Sequence, residues 1–311
     1  MSVAEATISI QQVTQDLAHR LSSASRLLEN EPLSKHTTLR VGGPADLYIE
    51  PATEQDLAAI LAICAERNVP WMMLGRGSNL LVRDGGIRGL VICLAAPSFA
   101  EIRVDDLRMI CGAGARLRSV AFEAKKSLLT GSEFMEGIPG NIGGALRMNA
   151  GAMGGAMFDV LESVRFMDPA GAVHERKARE IAVEYRNCLL FKTHIVLRAT
   201  LLLQRGTREV IEQKMNLCSQ KRWGSQPAAP SAGCIFKNAT TIPAGKLIEE
   251  LGLKGTRCGG ALISDVHGNF IVNEGNASAR DILELIELVR ERARTQRDVD
   301  LHTEVQVVGE D

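Results

Sequence analysis

Two glycine-rich segments are the first places in this 311-residue chain where the residue types suggest chemistry. One is LGRGSNLLV at 74–82, and the other is GIPGNIGGALRMNAGAMGG at 137–155, which holds seven glycines. Glycine lets the backbone approach a ligand closely and permits turns whose N–H groups point inward, and such cradles bind pyrophosphate without positive side chains. The second segment therefore predicts a phosphate-rich ligand. The first is equally typical of a tight turn between strands.

The chemistry of several common enzyme classes is missing. Gly112-Ala113-Gly114 lacks the third glycine of the dinucleotide fingerprint GxGxxG, and Lys246 does not lie in a Walker A loop. The sequence has no HExxH, CxxC or GxSxG motif, and its six histidines are scattered. A Rossmann or P-loop site, a zinc centre and a serine-hydrolase elbow are therefore not predicted.

Three single residues are further candidates. Arg186 lies in VEYRN, Cys234 follows a Pro/Ala/Ser-rich loop in PSAGCIFKN, and Glu304 lies in LHTEVQVVG. By themselves they are more typical of a surface arginine, a small core thiol and a solvent-facing strand glutamate. Their types and positions alone do not choose between these roles and catalysis.

Composition bounds the class of protein. The net charge of −1 argues against a general nucleic-acid or acidic-membrane binder, and 45% hydrophobic with 23% charged residues is typical of a globular protein. We expect no signal peptide, no membrane span and no obligate protein partner. The seven cysteines are odd in number, which favours reduced thiols in a cytoplasm over a disulfide framework.

Hydrophobic periodicity and turn residues predict alternating helices and strands. The predicted helices are 11–30, 53–67, 116–128, 207–222 and 279–296. The predicted strands are 45–50, 70–74, 79–83, 90–94, 108–112, 161–168, 194–203, 261–263, 269–272 and 304–308. Thr53 with Asp56, and Ser278 with Asp281, are typical of helix starts.

A change in charge marks a boundary near residue 204. Residues 205–257 contain nine basic and four acidic residues, whereas the rest of the chain is acidic. A basic segment in a neutral chain indicates an anionic small ligand, or simply a solvated face. We predict an N-terminal helical segment at 1–31 and domains at 32–204 and 205–311.

Six motifs occur in an order that resembles one family. They are GRGSN, GIPGNIGGALRMNAG, YRN, AGCIFKN, AGKLIEELGLKG and HTEVQVVG, and together they cover about residues 32–309. The chain resembles the UDP-N-acetylenolpyruvoylglucosamine reductases, the MurB family of bacterial peptidoglycan precursor synthesis. Its first part also resembles the FAD-linked oxidases, so only the C-terminal motifs distinguish the reductase.

The resemblance implies an α/β (α+β) fold. A two-lobed FAD-binding domain of the vanillyl-alcohol-oxidase/PCMH type would precede a C-terminal α/β substrate-binding domain. It also implies a cytoplasmic, NADPH-dependent flavoenzyme that contributes to cell-wall biogenesis, cell shape and cell division. Non-covalent FAD would accept a hydride from NADPH and reduce UDP-N-acetylglucosamine enolpyruvate to UDP-N-acetylmuramate. The substrate would be the only partner, with no nucleic acid and no membrane.

The resemblance also implies site residues. Arg186 and Glu304 match the pair that stabilises charge on the substrate carboxylate. The FAD-binding matches are Arg40, Val41, Gly42, Gly75, Gly77, Ser78, Asn79, Gly137, Ile138, Pro139, Gly140, Gly143, Gly144, Asn149, Ala150 and Gly151. The expected substrate-binding residues are Arg222, Lys237, Asn238, Lys246 and Lys254. No metal is expected.

Cys234 departs from the family pattern. The family usually has serine in GSxFKN as the proton donor, and here the motif reads GCIFKN, followed by Ala239 where proline is common. A thiol is a much stronger acid than an alcohol, so we predict that Cys234 is the proton donor and rests as a protonated thiol. We expect this departure to affect the pH range of the reaction and the sensitivity of the protein to oxidants more than the type of reaction.

About seven residues separate Arg186 from His194, so the chain looks like the shorter, type II form of the family. The substrate-closing tyrosine of the longer form has no obvious counterpart. Two alternatives stay open at this point: an FAD-linked oxidase on the same scaffold, and a non-catalytic nucleotide-binding protein. The arginine, acid and glutamate occurring together argue against the latter.

Overall fold

The computed structural model describes residues 9–311. Its α-helices are α1 (Ile10–Arg20), α2 (Glu54–Arg67), α3 (Pro97–Ala100), α4 (Leu117–Lys126), α5 (Ile142–Arg147), α6 (Met157–Val160), α7 (Leu190–Thr193), α8 (Arg208–Ser225), α9 (Ala244–Glu250) and α10 (Ala279–Arg297). Short 3-10 helices are Leu33–Lys35, Glu133–Gly137 and Ala178–Glu180.

The strands are short. They are β1 (Arg26–Pro32), β2 (Pro44–Glu50), β3 (Trp71–Met73), β4 (Leu80–Val82), β5 (Ile87–Ile92), β6 (Ile102–Asp105), β7 (Arg108–Gly112), β8 (Leu129–Thr130), β9 (Gly151–Ala152), β10 (Gly155–Ala156), β11 (Leu161–Met167), β12 (Val173–Lys177), β13 (Ile195–Leu202), β14 (Gln204–Arg205), β15 (Arg257–Cys258), β16 (Ala261–Ile263), β17 (Ile271–Asn273) and β18 (Gln306–Val308).

The chain divides into two compact units. In the described chain, the first unit comprises residues 9–30, Asp46–Gly75 and Gly89–Ser219, and the second comprises Glu31–Ala45, Arg76–Arg88 and Gln220–Asp311. The division near the middle of the chain thus falls within α8, whereas the charge change suggested residue 204. Two early segments also belong to the second unit, because β4 pairs in parallel with the C-terminal strand β18.

The first unit is built on an antiparallel sheet of order β12-β11-β13-β7-β6 and on most of a second sheet of order β1-β2-β5-β3. Helix α2 shows why the sequence folds this way. Thr53 and Asp56 form a capping box at its start, and Leu57, Ile60, Leu61 and Cys64 are buried, as the spacing predicts. A continuous apolar core joins this helix to both sheets.

The second unit has its own apolar core. Helix α10 begins at the predicted capping box of Ser278 and Asp281 and buries Ile282, Leu285 and Ile286. The three-stranded sheet β15-β16-β17 packs on this helix. Asp84 adds a second cap, because its carboxylate accepts bonds from the N–H groups of Ala279 at 2.8 Å and Arg280 at 3.0 Å.

Several element predictions are confirmed and some are wrong. The predicted helix 11–30 ends at Arg20, and Arg26–Pro32 is instead a strand; residues 1–8 of the segment 1–31 lie outside the described part. The predicted strand 304–308 begins only at Gln306, because the N–H of Glu304 bonds to the carbonyl of Ile235 at 2.8 Å. The elements that were not predicted are mostly short: α3, α5, α6, α7 and α9, and β1, β6, β8, β9, β10, β12, β14 and β15.

Within residues 9–311, no helix combines the length and the apolar character needed to cross a membrane. The same residues contain no group of three or more side chains suited to hold a metal ion.

Candidate active site

The GRGSN turn needs glycine for the packing of the protein itself. A Cβ on Gly75 would lie 2.9 Å from Oδ1 of Asn141. Gly77 has a φ of +59°, and a Cβ there would lie 2.7 Å from the carbonyl oxygen of His36. Both positions therefore exclude a side chain whether or not a ligand is bound.

The second glycine segment contains a position that the protein leaves open. Gly137 is buried, yet nothing lies within 4 Å of where its Cβ would be. By contrast, a Cβ on Gly143 would meet Ala113 at 3.3 Å, and one on Gly151 would meet the carbonyl of Gly155 at 2.7 Å. The space at Gly137 is what a closely approaching cofactor requires, so this segment fits FAD.

A two-residue hairpin presents Arg186. The main chains of Glu184 and Asn187 bond to each other at 2.9 and 3.3 Å, with Tyr185 and Arg186 at the tip. Arg186 has a φ of +55°, a conformation that is uncommon for a residue with a side chain and is often found at functional sites. Its guanidinium lies 4.9 Å from the Tyr185 ring centroid.

The second glycine segment anchors this hairpin. Arg186 donates from its guanidinium to the carbonyl of Gly151 at 3.0 Å, and Asn149 donates from Nδ2 to the carbonyl of Glu184 at 3.4 Å. Oδ1 of Asn149 accepts from the N–H of Phe158 at 3.3 Å. The amide of Asn149, predicted to bind FAD, thus also joins the glycine segment to the arginine hairpin.

Arg147 joins the same two segments a second time. Its guanidinium donates to the carbonyls of Phe191 at 3.0 Å and Lys192 at 3.2 Å, and its own carbonyl accepts from the N–H of Cys188 at 3.0 Å. Burial disfavours the charge and lowers the pKa of Arg147 below its ordinary value. A half-buried arginine therefore fixes the chain that follows Arg186.

In the second unit, the segment 230–237 that carries Cys234 lies between two others. On one side, the N–H of Ile235 donates to the carbonyl of Asn269 at 2.9 Å. On the other side, the carbonyl of Ile235 accepts from the N–H of Glu304 at 2.8 Å, and the N–H of Lys237 donates to the main-chain carbonyl of His302 at 2.9 Å. Cys234 and Glu304 thus lie on adjoining antiparallel segments.

The GRGSN turn also contacts these segments. Nδ2 of Asn79 donates to the carbonyl of Glu304 at 3.1 Å, and the carbonyl of Asn79 accepts from the N–H of Gln306 at 3.0 Å. A Cβ on Gly233 would lie 3.9 Å from the carbonyl of Ser78. The second unit therefore brings together Ser78, Asn79, Cys234 and Glu304, while Arg186 and the glycine segment belong to the first.

The early loop at 40–42 is held inside the second unit. Arg40 has a φ of +57°, and its carbonyl and that of Leu39 accept from Nδ2 of Asn273 at 3.4 and 3.1 Å. A Cβ on Gly42 would lie 2.7 Å from the Cβ of Val82, and Val41 is buried. The side chain of Val41 is therefore part of the core.

The predicted phosphate-binding residues differ in their surroundings. Lys237 is exposed. Nζ of Lys246 lies 3.8 Å from Oε1 of Glu250, and Nζ of Lys254 lies 3.5 Å from Oε1 of Glu249. The guanidinium of Arg222 is 5.0 Å from the Trp223 ring centroid. The structure thus gives Lys246 and Lys254 carboxylate neighbours, a feature that charge counting along the sequence does not reveal.

Asn238 has a structural bond in this structure. Its Oδ1 accepts from the N–H of Ala244, the first residue of α9, at 3.1 Å. Nearby, burial lowers the pKa of His267, as does the positive charge of Lys254. Sequence reasoning missed His267, Asn269 and Asn273, since isolated polar residues in HGNFIVN give no signal until their contacts are known.

Cys234 differs from the other cysteines. None of the seven forms a disulfide bond, and Cys64 and Cys111 are buried, which raises the pKa of each thiol to about 12. The carboxylate of Glu284 raises the pKa of Cys258 to about 11. Cys234 is only half-buried and lies beside the GRGSN turn, which is compatible with access by a substrate.

Comparisons with known proteins identify the family. The family model for the C-terminal domain of UDP-N-acetylenolpyruvoylglucosamine reductase matches residues 226–308, and an FAD-binding domain model matches 44–176. The UDP-N-acetylenolpyruvoylglucosamine reductase of Heliobacterium modesticaldum is 44% identical over 91% of this chain and 91% of its own. That of Bacillus velezensis is 42% identical over 96% of this chain and 99% of its own.

The chain belongs to the UDP-N-acetylenolpyruvoylglucosamine reductase family. The crystal structure of the reductase from Thermus caldophilus matches with a TM-score of 0.80 and 40% identity, over 91% of this chain and 99% of that one. A glucose dehydrogenase, Phl p 4.0202, shares the fold alone, with a TM-score of 0.50, 14% identity, and coverage of 72% of this chain and 52% of that one.

These findings confirm the predicted family, the mixed α/β fold with its FAD-binding and C-terminal domains, and FAD as cofactor. This family member is an FAD-containing oxidoreductase. The reductase prediction is confirmed over the oxidase alternative, because the C-terminal model and the full-length relatives are reductases.

Proposed function

We propose that this protein reduces UDP-N-acetylglucosamine enolpyruvate to UDP-N-acetylmuramate, with NADPH as the reductant. The observation that carries the proposal is identity of 42–44% to named reductases over more than nine-tenths of the chain. The adjoining main chains of Cys234 and Glu304 support it, because a proton donor and a charge-stabilising group are both needed at one unsaturated carboxylate.

FAD would be held by the two glycine-rich segments. The open space at Gly137 supports this assignment. When bound, FAD supplies the hydride that adds to the methylene carbon of the enolpyruvyl group. The remaining chemistry is assigned to side chains of the protein.

Hydride addition to the methylene carbon pushes an electron pair toward the substrate carboxylate. Positive charge and positioned hydrogen bonds stabilise such an enolate-like arrangement. We assign this role to Arg186 together with Glu304. Two hydrogen bonds hold the Arg186 hairpin, from Arg186 to the carbonyl of Gly151 and from Asn149 to the carbonyl of Glu184. They support the assignment, because catalytic stabilisation requires groups that are already in place.

Cys234 would complete the reaction. Its S–H bond breaks, the proton forms a C–H bond at the alpha carbon, and the thiolate regains a proton from solvent. A thiol suits this step because it releases a proton more readily than the hydroxyl usual in the family.

The UDP moiety is the part of the substrate that basic residues would bind. Lys237, Arg222, Lys246 and Lys254 lie in the basic segment of the second unit, with Asn238 beside them. Charged donors bind diphosphate most strongly where they are partly desolvated, which favours Lys254 over the exposed Lys246.

We further propose that the protein is of the type II form, that it is located in the cytoplasm and that it has a role in cell-wall synthesis. The predicted domain limits of 1–31, 32–204 and 205–311 also stand as a proposal.

Anaerobic stopped-flow absorbance tests this function. NADPH should bleach the visible flavin absorbance, and UDP-N-acetylglucosamine enolpyruvate should restore it rapidly without oxygen. Recovery only after air is admitted would indicate an oxidase and overturn the proposal. A colourless protein that takes up no FAD would also contradict it.

Cys234 variants test the proton donor. Cys234→Ala should be bleached by NADPH at the normal rate, yet its recovery with substrate should slow by about 100-fold or more, in line with the contribution of general acids. Cys234→Ser should keep measurable turnover, since a hydroxyl serves in the family. Normal recovery in Cys234→Ala would assign the proton to another group.

A further inference from the structure

Asn269 makes a two-point contact with the main chain of the segment that carries Cys234. Its Oδ1 accepts from the N–H of Phe236 at 2.9 Å, and its Nδ2 donates to the carbonyl of Phe236 at 2.8 Å. Its own carbonyl accepts from the N–H of Ile235 at 2.9 Å. One side chain and its backbone therefore account for three bonds to two consecutive residues.

The contact is buried. The exposed fraction is 3% for Asn269 and 1% for Phe236. A buried peptide group left without partners is destabilising, so the amide of Asn269 meets a requirement that solvent cannot meet. A carboxamide is suited to this because it offers one acceptor and one donor side by side, the complement of a peptide N–H and C=O.

Asn269 is itself held by a tight turn between β16 and β17. Oγ of Ser264 accepts from the N–H groups of Val266 at 3.1 Å and His267 at 3.4 Å. The N–H of Asn269 donates to Nδ1 of His267 at 3.1 Å, and the N–H of Phe270 donates to the carbonyl of His267 at 3.0 Å. These bonds hold the main chain of Asn269, from which its side-chain amide reaches Phe236.

The opposite side of the segment carries Glu304. The carbonyl of Ile235 accepts from the N–H groups of Glu304 at 2.8 Å and Val305 at 3.3 Å. Any shift of Ile235 therefore changes the position of Cys234, its neighbour in the chain, relative to Glu304. Asn269 bonds to the same residue and the next one, so it sets the position of the proton donor.

We propose that Asn269 is a positioning residue for proton transfer: it fixes the main chain at Ile235 and Phe236 so that the thiol of Cys234 is held in register with Glu304. The proposal rests on the proposed function, since it needs Cys234 to be the donor. A displacement near 1 Å at a reacting group slows a reaction by roughly 100-fold. The predicted loss is confined to the step that consumes the substrate.

The test compares the two half-reactions in four variants of the full-length, FAD-loaded protein. Asn269→Ala should be bleached by NADPH at the wild-type rate and recover with substrate about 10- to 100-fold more slowly. Ser278→Ala is the matched control, because it removes the cap of α10 in the same unit without touching the Cys234 segment. It should lower thermal stability and leave both half-reactions unchanged.

Two further variants separate positioning from general loss of structure. In a Cys234→Ala background, adding Asn269→Ala should slow recovery by less than about 2-fold, because a residue that acts through Cys234 has no effect once the thiol is gone. Asn269→Asp should regain recovery rate as pH falls, since a protonated carboxyl offers one acceptor and one donor like the amide. Asn269→Ala should show no such gain relative to wild type.

The outcomes are distinguishable. Wild-type recovery rates in Asn269→Ala, full additivity with Cys234→Ala, or no pH-dependent rescue in Asn269→Asp would each overturn the positioning role. If wild type itself is not bleached by NADPH or does not recover with substrate, the proposed function fails instead. Faster hydrogen exchange at the amide of Phe236 in Asn269→Ala, measured without FAD, would support the contact independently of activity.

Discussion

Replacing Arg147 by methionine should destabilise the first unit. The change removes two hydrogen bonds from a charged donor, to the carbonyls of Phe191 and Lys192, at the end of the short helix α7. Bonds to charged groups contribute about 1.5–3 kcal/mol each, so the gross loss is about 3–6 kcal/mol. Both carbonyls would then lack the donor that the helix end requires.

Part of this loss is offset. The lowered pKa of Arg147 shows that burial already disfavours its charge, and methionine fills similar space without that penalty. We therefore expect a net loss of about 2 kcal/mol, which for a unit of this size lowers Tm by roughly 4–8 °C. The bond from Cys188 to the carbonyl of Arg147 survives, so turnover should fall by only a few-fold.

Urea denaturation followed by circular dichroism measures the free energy of unfolding, and thermal melts give Tm. Arg147→Lys should lose about half as much, because an ammonium on a flexible chain does not span both carbonyls as the guanidinium does. Arg20→Met is the control, since it removes an exposed pair with Glu66 and should change stability little. An unchanged urea midpoint in Arg147→Met would refute the reasoning.

Two further predictions concern Asp56 and Gly137. The carboxylate of Asp56 accepts hydrogen bonds from Ser22 and Thr53. Burial alone would raise the pKa of Asp56, but these hydrogen bonds outweigh burial and lower it. Asp56→Asn should therefore lose about 2 kcal/mol at neutral pH. Because the pKa of the folded carboxylate is lowered, its contribution is present above the ordinary Asp pKa of about 4 and is lost as pH falls from there through the lower pKa of the folded state, so the urea midpoints of variant and wild type should converge in that acidic range. Gly137→Ala should fold with unchanged Tm without FAD but bind FAD at least about 10-fold more weakly by fluorescence titration, because its Cβ would enter the open space that we propose the cofactor occupies. Normal FAD affinity in this variant would place the cofactor elsewhere.

Local signals in the sequence predicted the longer helices and ten of the 18 strands of residues 9–311. The capping boxes of Thr53 and Ser278 gave the starts of α2 and α10 correctly, and the apolar spacing after Thr53 gave the buried face of α2. The helix predicted over 11–30 was wrong after Arg20, since the polar run that follows forms the strand β1 instead. Helix periodicity alone does not reveal strand pairing with a distant partner.

The glycine motifs illustrate the same limit at the site. The sequence pointed to close backbone approach, but it did not distinguish approach to a ligand from approach to other parts of the protein. Gly77 and Gly151 turn out to be crowded by protein atoms, and Gly137 faces open space. That distinction depends on distances between residues far apart in the chain.

The sequence by itself determined the family, the FAD cofactor and the candidate residues, because motif order and residue type are properties of the chain. Only the tertiary structure decided which residues hold those candidates in place. No role was predicted from the sequence for Asn269 or Arg147. Each forms side-chain hydrogen bonds to main-chain groups 33 to 45 positions away in the chain. Every residue except proline has the same main-chain N–H and C=O groups, so folding decides which residues they bond to, and the sequence alone does not show it.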